Sequence, residues 1–357
     1  MNIDFQSRLI HWYQQNKRPL PWRQTADPYV VWLSEIILQQ TRVDQGLDYF
    51  NRFIKKWPGV IDMAAAQPQE VLKMWQGLGY YSRARNLHAT ARVVVDQYDG
   101  LFPTDYNTLI KLKGIGPYTA AAISSICGDE PKAVVDGNVY RVLSRFYGIS
   151  TPIDSGSGKK TFQTLATDLI RSQHPGTFNQ AMMEFGALQC VPKNPDCIQC
   201  IFNTHCKAFT NNKVDKLPVK QSKRNNRNRY FNYLVIRVEN GSKGIYIHHR
   251  TKNDIWRGLY DFPMIETIGP ENFGSIAGTA EWKKLFDQKN WKLISSSQTY
   301  KHKLTHQHIH AVFHIIHTSA FDVLSKKNVF LVDQKQLENY PIPKLIERFL
   351  LDSKHIM

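Results

Sequence analysis

Along the first 210 residues, apolar positions recur at three- and four-residue intervals between short loops, a pattern that predicts a mainly helical region. Asp27 followed by Pro28 supplies an N-cap and a first-turn proline for a helix running to about Gln39. The same spacing predicts helices over Val43–Lys56, Pro68–Trp75, Ser82–Tyr98, Thr104–Leu112, Tyr118–Cys127 and Asn138–Phe146, with two more before residue 190. Between Lys213 and Arg229 the period disappears. Seven basic residues against one acidic, with Pro218 and several Asn and Gln, read there as a linker. From residue 230 the texture becomes that of strands, with 230–238 and 244–250 flanking the turn-forming Asn-Gly-Ser-Lys of 240–243. The expected organisation is an α region over 1–210, a basic interdomain linker over 211–229 and an α+β domain over 230–357.

Hydrophobic residues make up 42% of the chain and aromatics 12%, ordinary values for a packed protein that exclude a wholly disordered or collagen-like one. No run approaches the roughly 20 apolar residues of a membrane helix, and the first residues lack the apolar stretch and cleavage site of a signal peptide. The expectation is a soluble intracellular protein with no membrane partner, monomeric, and in a bacterium cytoplasmic and nucleoid-associated. The 46 Lys and Arg outnumber 30 Asp and Glu, a net charge of +16. That surplus favours a polyanion, because neutralised phosphates release counterions; DNA, RNA, a membrane surface or a merely solvated basic face all satisfy it.

Cysteine usage is more specific. Cys127 stands alone in an apolar segment and reads as a packed side chain, whereas Cys190, Cys197, Cys200 and Cys206 crowd into seventeen residues. Zinc sites with four cysteines come as two close pairs across a longer loop; the unequal gaps here suit one compact loop around an iron–sulfur cluster better. In residues 112–120, Leu-Lys-Gly-Ile-Gly-Pro-Tyr-Thr-Ala, Gly114 and Gly116 join two predicted helices. A glycine hairpin allows the backbone amides of the second helix to meet a phosphate, although it also serves as an ordinary helix connection. Asp136 precedes Gly137 at the next helix start, where an N-cap is its plain reading. Glu35 lies in a segment in which eight of ten residues from Tyr29 to Leu38 are apolar, so burial should raise its carboxyl pKa.

The hairpin, the aspartate and the trailing cysteines, in that order, resemble the helix-hairpin-helix base-excision DNA glycosylases. Residues Trp32–Val43 and Gly77–Leu87 narrow the resemblance to the adenine DNA glycosylases of the MutY family, which remove adenine mispaired with 8-oxoguanine. The resemblance implies a six-helix module and an iron–sulfur module flanking a DNA cleft, one [4Fe-4S] cluster on the four cysteines, and duplex DNA with A:8-oxoguanine or A:G mispairs as partner. Glu35 would protonate the leaving adenine and Asp136 would stabilise or trap the sugar cation, with Asn138 and Tyr118 beside them. Trp22, Arg23 and Gln180 would contact the adenine, Gln40 and Tyr80 would intrude at the lesion pair, Thr41 would take part in DNA and lesion recognition, and Gly114 and Gly116 would meet the DNA. Endonuclease III-like relatives have a lysine where Tyr118 stands; Lys111 and Lys113 are displaced from that place, so the expected enzyme is a monofunctional glycosylase rather than a glycosylase/lyase. A non-catalytic DNA-binding iron–sulfur protein is the other alternative.

The carboxyl-terminal part, through Asn253–Pro263, is similar to the family's Nudix-like lesion-recognition domain. No glycine-led helix with a magnesium-holding carboxylate set follows Pro263, so the domain should bind rather than hydrolyse. Residues Tyr300–His310 carry four histidines that suit either a metal or alternate positions of a strand. By resemblance they align with the family's Phe-Ser-His element, which senses 8-oxoguanine, here as Leu304, Thr305 and His306. Lys193 and Lys207 beside the cysteines are further phosphate candidates.

Overall fold

The computed structural model describes residues 4–170, 174–221, 226–238, 244–286, 291–318 and 328–353. Its helices run in the order α1 (Phe5–Asn16), α2 (Pro28–Leu38), α3 (Val43–Lys56), α4 (Val60–Ala65), α5 (Pro68–Met74), α6 (Ser82–Tyr98), α7 (Tyr106–Leu109), α8 (Pro117–Cys127), α9 (Gly137–Tyr147), α10 (Gly156–Leu169), α11 (Pro175–Leu188) and α12 (Lys207–Thr210). Two compact units result: Met1–Ala66 with Asn86–Ser222, and Gln67–Arg85 with Lys223–Met357.

In the first unit α11 is the central helix, packed against α1, α8 and α9. The apolar stripe that predicts helix in the sequence is what it buries. Phe5, Leu9 and Trp12 of α1 meet Val142 and Leu143 of α9, Phe162 of α10, and Phe178 and Phe185 of α11. Each such side chain contributes about 1.5–3 kcal/mol when removed from water. Phe202 closes this core from the cysteine loop, stacked on Phe5 at 4.6 Å, and Arg8 Nη2 donates to the Ile201 carbonyl at 2.5 Å.

The glycine hairpin is tighter than the sequence suggests. Thr104–Leu112 contains only the short α7, because Lys111 and Leu112 donate to carbonyls three residues back and wind the chain into turns. Gly114 has φ +82°, and a Cβ there would meet Asn86 Cβ at 2.7 Å. Gly116 is different: it has no positive φ, and an added Cβ would find nothing within 4 Å. It caps α8, with Pro117 in the first turn.

The second unit is built on a mixed sheet of β1 (Arg227–Val238), β2 (Gly244–His249), β3 (Tyr260–Asp261), β4 (Met264–Thr267), β5 (Trp291–Ser296), β6 (Tyr300–Lys303), β7 (Gln307–Thr318) and β8 (Val329–Asp333). Strand order is β3-β2-β1-β7-β5, with β4 on β1, β6 on β7 and β8 on β2. At its centre β1 and β7 run parallel, Arg227 opposite Gln307 through to Val238 opposite Thr318. Phe231, Tyr233, Ile309 and Phe313 point to one face, covered by Leu345, Ile346 and Phe349 of α15 (Lys344–Asp352). Leu234, Ile236 and Ile316 point to the other, covered by Ile276 of α13 (Phe273–Ala277) and Trp282 of α14 (Ala280–Leu285).

Helices α1, α4 and α12 of the first unit escape the sequence reading, and three further features differ from it. Residues Gln67–Arg85 group with the second unit, where Lys73 Nζ donates to the Tyr340 carbonyl at 3.3 Å and Arg85 Nη1 to the Arg257 carbonyl at 2.5 Å. The first half of the expected linker is pinned: the Val219 carbonyl accepts from the Ile153 amide, Arg145 Nε donates to the carbonyls of Val214 and Leu217, and Leu217 is buried. Residues 300–310 form a hairpin rather than one strand, turning at 304–306 with the Leu304 amide donating to the Gln307 carbonyl at 2.8 Å. The turn expected at 240–243 lies outside the described residues. Among the described residues no helix is long and apolar enough to cross a membrane.

Candidate active site and cysteine loop

Two helices present matching stripes to one cavity of about 220 Å³ in the first unit. Val31, Ser34, Glu35 and Leu38 of α2, and Gln180, Met183, Glu184 and Ala187 of α11, each follow the i, i+3, i+4, i+7 spacing of a single helix face and line it. Trp22, Arg23, Thr41, Tyr118, Asp136 and Asn138 complete the wall with Arg18 and Leu20.

Glu35 is partly accessible at this wall. Burial raises its carboxyl pKa to about 7; a hydrogen bond with Tyr118 opposes the shift, the neighbouring Asp136 adds to it, and Arg23 opposes it. Tyr118 itself is held well above the usual phenol range by burial and by the two carboxyls, so it is a neutral donor, and its oxygen lies 3.3 Å from Met183 Sδ.

Asp136 is the N-cap of α9. Its Oδ1 accepts from the amides of Asn138 at 2.9 Å and Val139 at 2.8 Å, and its Oδ2 from Asn138 Nδ2 at 2.8 Å. Burial pushes its carboxyl up against these three bonds. The capping reading and a cavity-facing carboxylate are therefore both true of one side chain.

The Tyr13 hydroxyl donates to Gln180 Oε1 at 2.7 Å, which fixes that amide, and the Trp22 ring packs edge-on to Phe50 at 4.9 Å. Glu184, fully buried, accepts from both Arg18 and Arg23. Neither Glu184 nor Arg18 is singled out by the sequence reading. The available signal was the spacing: Glu184 lies one turn beyond Gln180 on a helix whose second half is otherwise apolar.

Gln40 and Tyr80 are not on the cavity wall. Both are exposed residues with positive φ, +57° and +47°, a conformation that costs a non-glycine residue about 1 kcal/mol or more and collects at functional loops. In the second unit the Tyr80 hydroxyl is hydrogen-bonded to Thr305 Oγ1. Leu304 packs against the aromatic core there while Thr305 and His306 are exposed at the turn. Of the histidines, His302 faces Trp256 on the core side, and His308 and His310 lie on the opposite face. Three carboxylates of this unit are engaged by arginine: Arg229 bonds Asp254 at 2.8 Å and Glu266 at 2.7 Å, and Arg250 bonds Asp261 at 2.7 Å.

Cys190, Cys197, Cys200 and Cys206 line a second, small cavity with Phe146, Phe185 and Phe202. None of the four is in a disulfide. The Phe202 amide donates to Cys200 Sγ at 3.4 Å and Arg145 Nη1 lies 3.5 Å from Cys190 Sγ. Burial pushes the Cys200 thiol up to about 11 and those of Cys190 and Cys197 upward. Among the described residues no three His, Cys, Asp or Glu side chains are gathered closely enough to hold a single metal ion. Four soft sulfur donors facing one cavity, with an amide and a guanidinium directed at them, fit a larger iron–sulfur cluster. Arg141 joins this loop to the first cavity, donating Nε to the Cys190 carbonyl at 2.7 Å and Nη2 to Asn138 Oδ1 at 2.8 Å. Cys127 lies outside both cavities, and burial pushes its thiol up to about 12.

Residues 33–166 match the model of the HhH-GPD superfamily of base excision DNA repair proteins, and residues 232–352 that of the NUDIX domain. An adenine DNA glycosylase of Buchnera aphidicola subsp. Schizaphis graminum is 35% identical over 97% of each chain. That of Mus musculus is 44% identical over 57% of this chain and 42% of its own. Among solved structures, a thermostable thymine-DNA glycosylase superposes with a TM-score of 0.52 at 29% identity, covering 58% of this chain and 95% of the other.

Proposed function

Because this chain belongs to the adenine DNA glycosylases of the MutY family, enzymes of base excision repair with the HhH-GPD fold, we propose that it hydrolyses the N-glycosidic bond of adenine mispaired with 8-oxoguanine or guanine in duplex DNA and leaves the strand intact. The observation that carries this reading is the pairing across one cavity of a proton-bearing Glu35 with the anchored carboxylate of Asp136.

Duplex bases are out of reach of such a cavity, so the adenine must first be extruded, at a cost of a few kcal/mol. Gln40 and Tyr80 are the residues for the vacated space, their positive φ being the strain expected of intruding loops. Trp22, Arg23 and Gln180 receive the base, with Thr41 at the rim. Glu35 then gives its proton to adenine N7, which turns the base into a neutral leaving group. The sugar is left with oxocarbenium character, and Asp136, held by three donors, meets that charge without reorganising. Water completes the hydrolysis, directly or after an adduct on Asp136.

No lysine lines the cavity among the described residues, and Arg18 and Arg23 are engaged by Glu184. An amine for a Schiff base is thus lacking, which supports glycosylase activity without strand cleavage. The amides at the Gly114–Gly116 hairpin suit a phosphate of the bound duplex. Cys190, Cys197, Cys200 and Cys206 would hold one [4Fe-4S] cluster, whose contribution is to cross-link the 190–206 loop. The engagement of Asp254, Glu266 and Asp261 by arginines supports a second unit that binds rather than hydrolyses, with Leu304, Thr305 and His306 sensing 8-oxoguanine.

The test is an end-labelled duplex with adenine opposite 8-oxoguanine, guanine or thymine, scored with and without alkali. Breaks only after alkali, and only opposite 8-oxoguanine or guanine, are expected. Breaks without alkali would replace the proposal with lyase chemistry.

A further inference from the structure

Glu184 takes no part in base release as described above, yet it is a fully enclosed carboxylate at the cavity wall. Burying a carboxylate is costly unless its charge and its lone pairs are both met. Here they are met completely. Arg18 donates Nε to Oε1 at 2.9 Å and Nη2 to Oε2 at 2.6 Å, and adds its backbone amide to Oε1 at 2.9 Å. Arg23 donates Nη1 to Oε1 at 2.6 Å and Nη2 to Oε2 at 2.7 Å. A carboxylate offers about four acceptor positions, so none is left for a base in the pocket. Glu184 is therefore not a substrate contact, and its role must run through the two guanidiniums.

Those guanidiniums matter because of what stands across the cavity. The charged and titratable groups around Glu35 are Tyr118 from α8, Asp136 at the start of α9, and Arg23 from the turn after α1, behind which lie Arg18 and Glu184. Arg23 favours the ionised form of Glu35, which cannot act as an acid. Arg18 also feels the charge of Asp44 on α3. Within the wall, Glu184 is the carboxylate that pairs with both guanidiniums, so the positive charge there is smallest while Glu184 is ionised. Burial alone would raise the Glu184 carboxyl, but the hydrogen bonds from Arg23 and Arg18 outweigh it and bring it down to about 2, so its charge persists across the working range.

We propose that Glu184 is a positioning residue that ties Arg18 and Arg23 together and offsets their charge at the wall of the base pocket, and so keeps Glu35 in its proton-bearing form; the inference rests on the reading of Glu35 as the acid. Without that negative charge the wall around Glu35 gains one unit of net positive charge. The proton is then lost at lower pH, and the alkaline limb of excision moves to lower pH with it.

The experiment is the pH dependence of single-turnover adenine excision by the cluster-loaded full chain. Glu184→Gln should lower the midpoint of the alkaline limb by about one pH unit, which is roughly a tenfold loss at about pH 8 with a much smaller loss on the acid side. Glu184→Asp should restore part of the shift. The double variant Arg18→Gln/Glu184→Gln removes one charge of each sign and should return the midpoint toward that of the parent, even if its absolute rate stays low. An equal loss at every pH with the midpoint unmoved would overturn the proposal in favour of a merely structural ion pair. A parent enzyme without an alkaline limb, or full excision by Glu35→Gln, would instead overturn the acid assignment on which the proposal rests.

Discussion

Asn138 turns back along its own helix to give its side-chain N–H to Asp136 Oδ2 at 2.8 Å, while its carbonyl oxygen receives Arg141 Nη2 at 2.8 Å. The amide is thereby held at both ends. With the backbone amides of Asn138 and Val139 on Oδ1, the carboxylate is oriented before any DNA arrives. Preorganisation of this kind is what lets a single charge stabilise a cationic transition state.

Replacing Asp136 by Asn separates charge from geometry. Asparagine caps a helix about as well as aspartate, so the melting temperature should change little. Base release should fall by about 10²–10³-fold or more, while affinity for mismatched duplex persists. A glycosylase assay and a gel-shift titration on the same preparation decide it; unchanged excision would remove Asp136 from the chemistry.

The pKa of Glu35, near 7, gives a pH dependence of definite sign. Activity should be retained below that value and decline about tenfold per pH unit above it. Stability follows the same group. Its folded pKa exceeds the unfolded value of about 4.3, so the contribution is fully present below about 4.3 and is lost as pH rises toward about 7. Glu35→Gln should abolish excision yet be more stable than the parent at about pH 8, by an amount on the order of 1–3 kcal/mol. Paired thermal melts at acidic and alkaline pH measure this.

The two hairpin glycines should respond differently to alanine. Gly114→Ala places a side chain at positive φ against Asn86 and should cost about 1–3 kcal/mol together with DNA affinity. Gly116→Ala meets open space and should leave the folding stability within about 0.5 kcal/mol of the parent, while still weakening DNA binding by crowding the approach to the amides. Equal destabilisation by both would contradict the geometry.

His306→Ala tests lesion sensing. His306 is exposed at the hairpin turn beside Thr305, which is held by Tyr80. The preference for adenine opposite 8-oxoguanine over adenine opposite guanine should fall several-fold, about 1 kcal/mol for one lost contact. An unchanged ratio of the two single-turnover rates would reject the role.

Much of the candidate site was legible because helix periodicity carries it. A glutamate within an apolar helix and an aspartate at a helix start stand out by local pattern, whereas Gln180 on α11 came in through the family resemblance; the structure gathers all three around one cavity. The arginine partnerships were not legible. Arg18 and Glu184 are 166 residues apart in the chain, and Arg141 reaches a carbonyl 49 residues away. Nothing in local pattern announces a pairing between charges on distant elements. The same holds for residues 67–85, whose helical period predicts α5 but not the unit it joins. It holds also for β7, where alternation marks a strand without revealing that its central neighbour is the parallel β1.

That parallel ladder sets an order of assembly. Its two strands begin 80 residues apart, at Arg227 and Gln307, so no local hairpin can nucleate it. A chain emerging from the ribosome has everything the helical unit needs once residue 222 is out. The parallel ladder must wait for Thr318, the last strand of the sheet for Asp333, and the segment 67–85 for Tyr340 and Ile342. During that interval the apolar faces of β1 and α5 are without their final cover, and those two elements are where a nascent chain would most need a chaperone's protection.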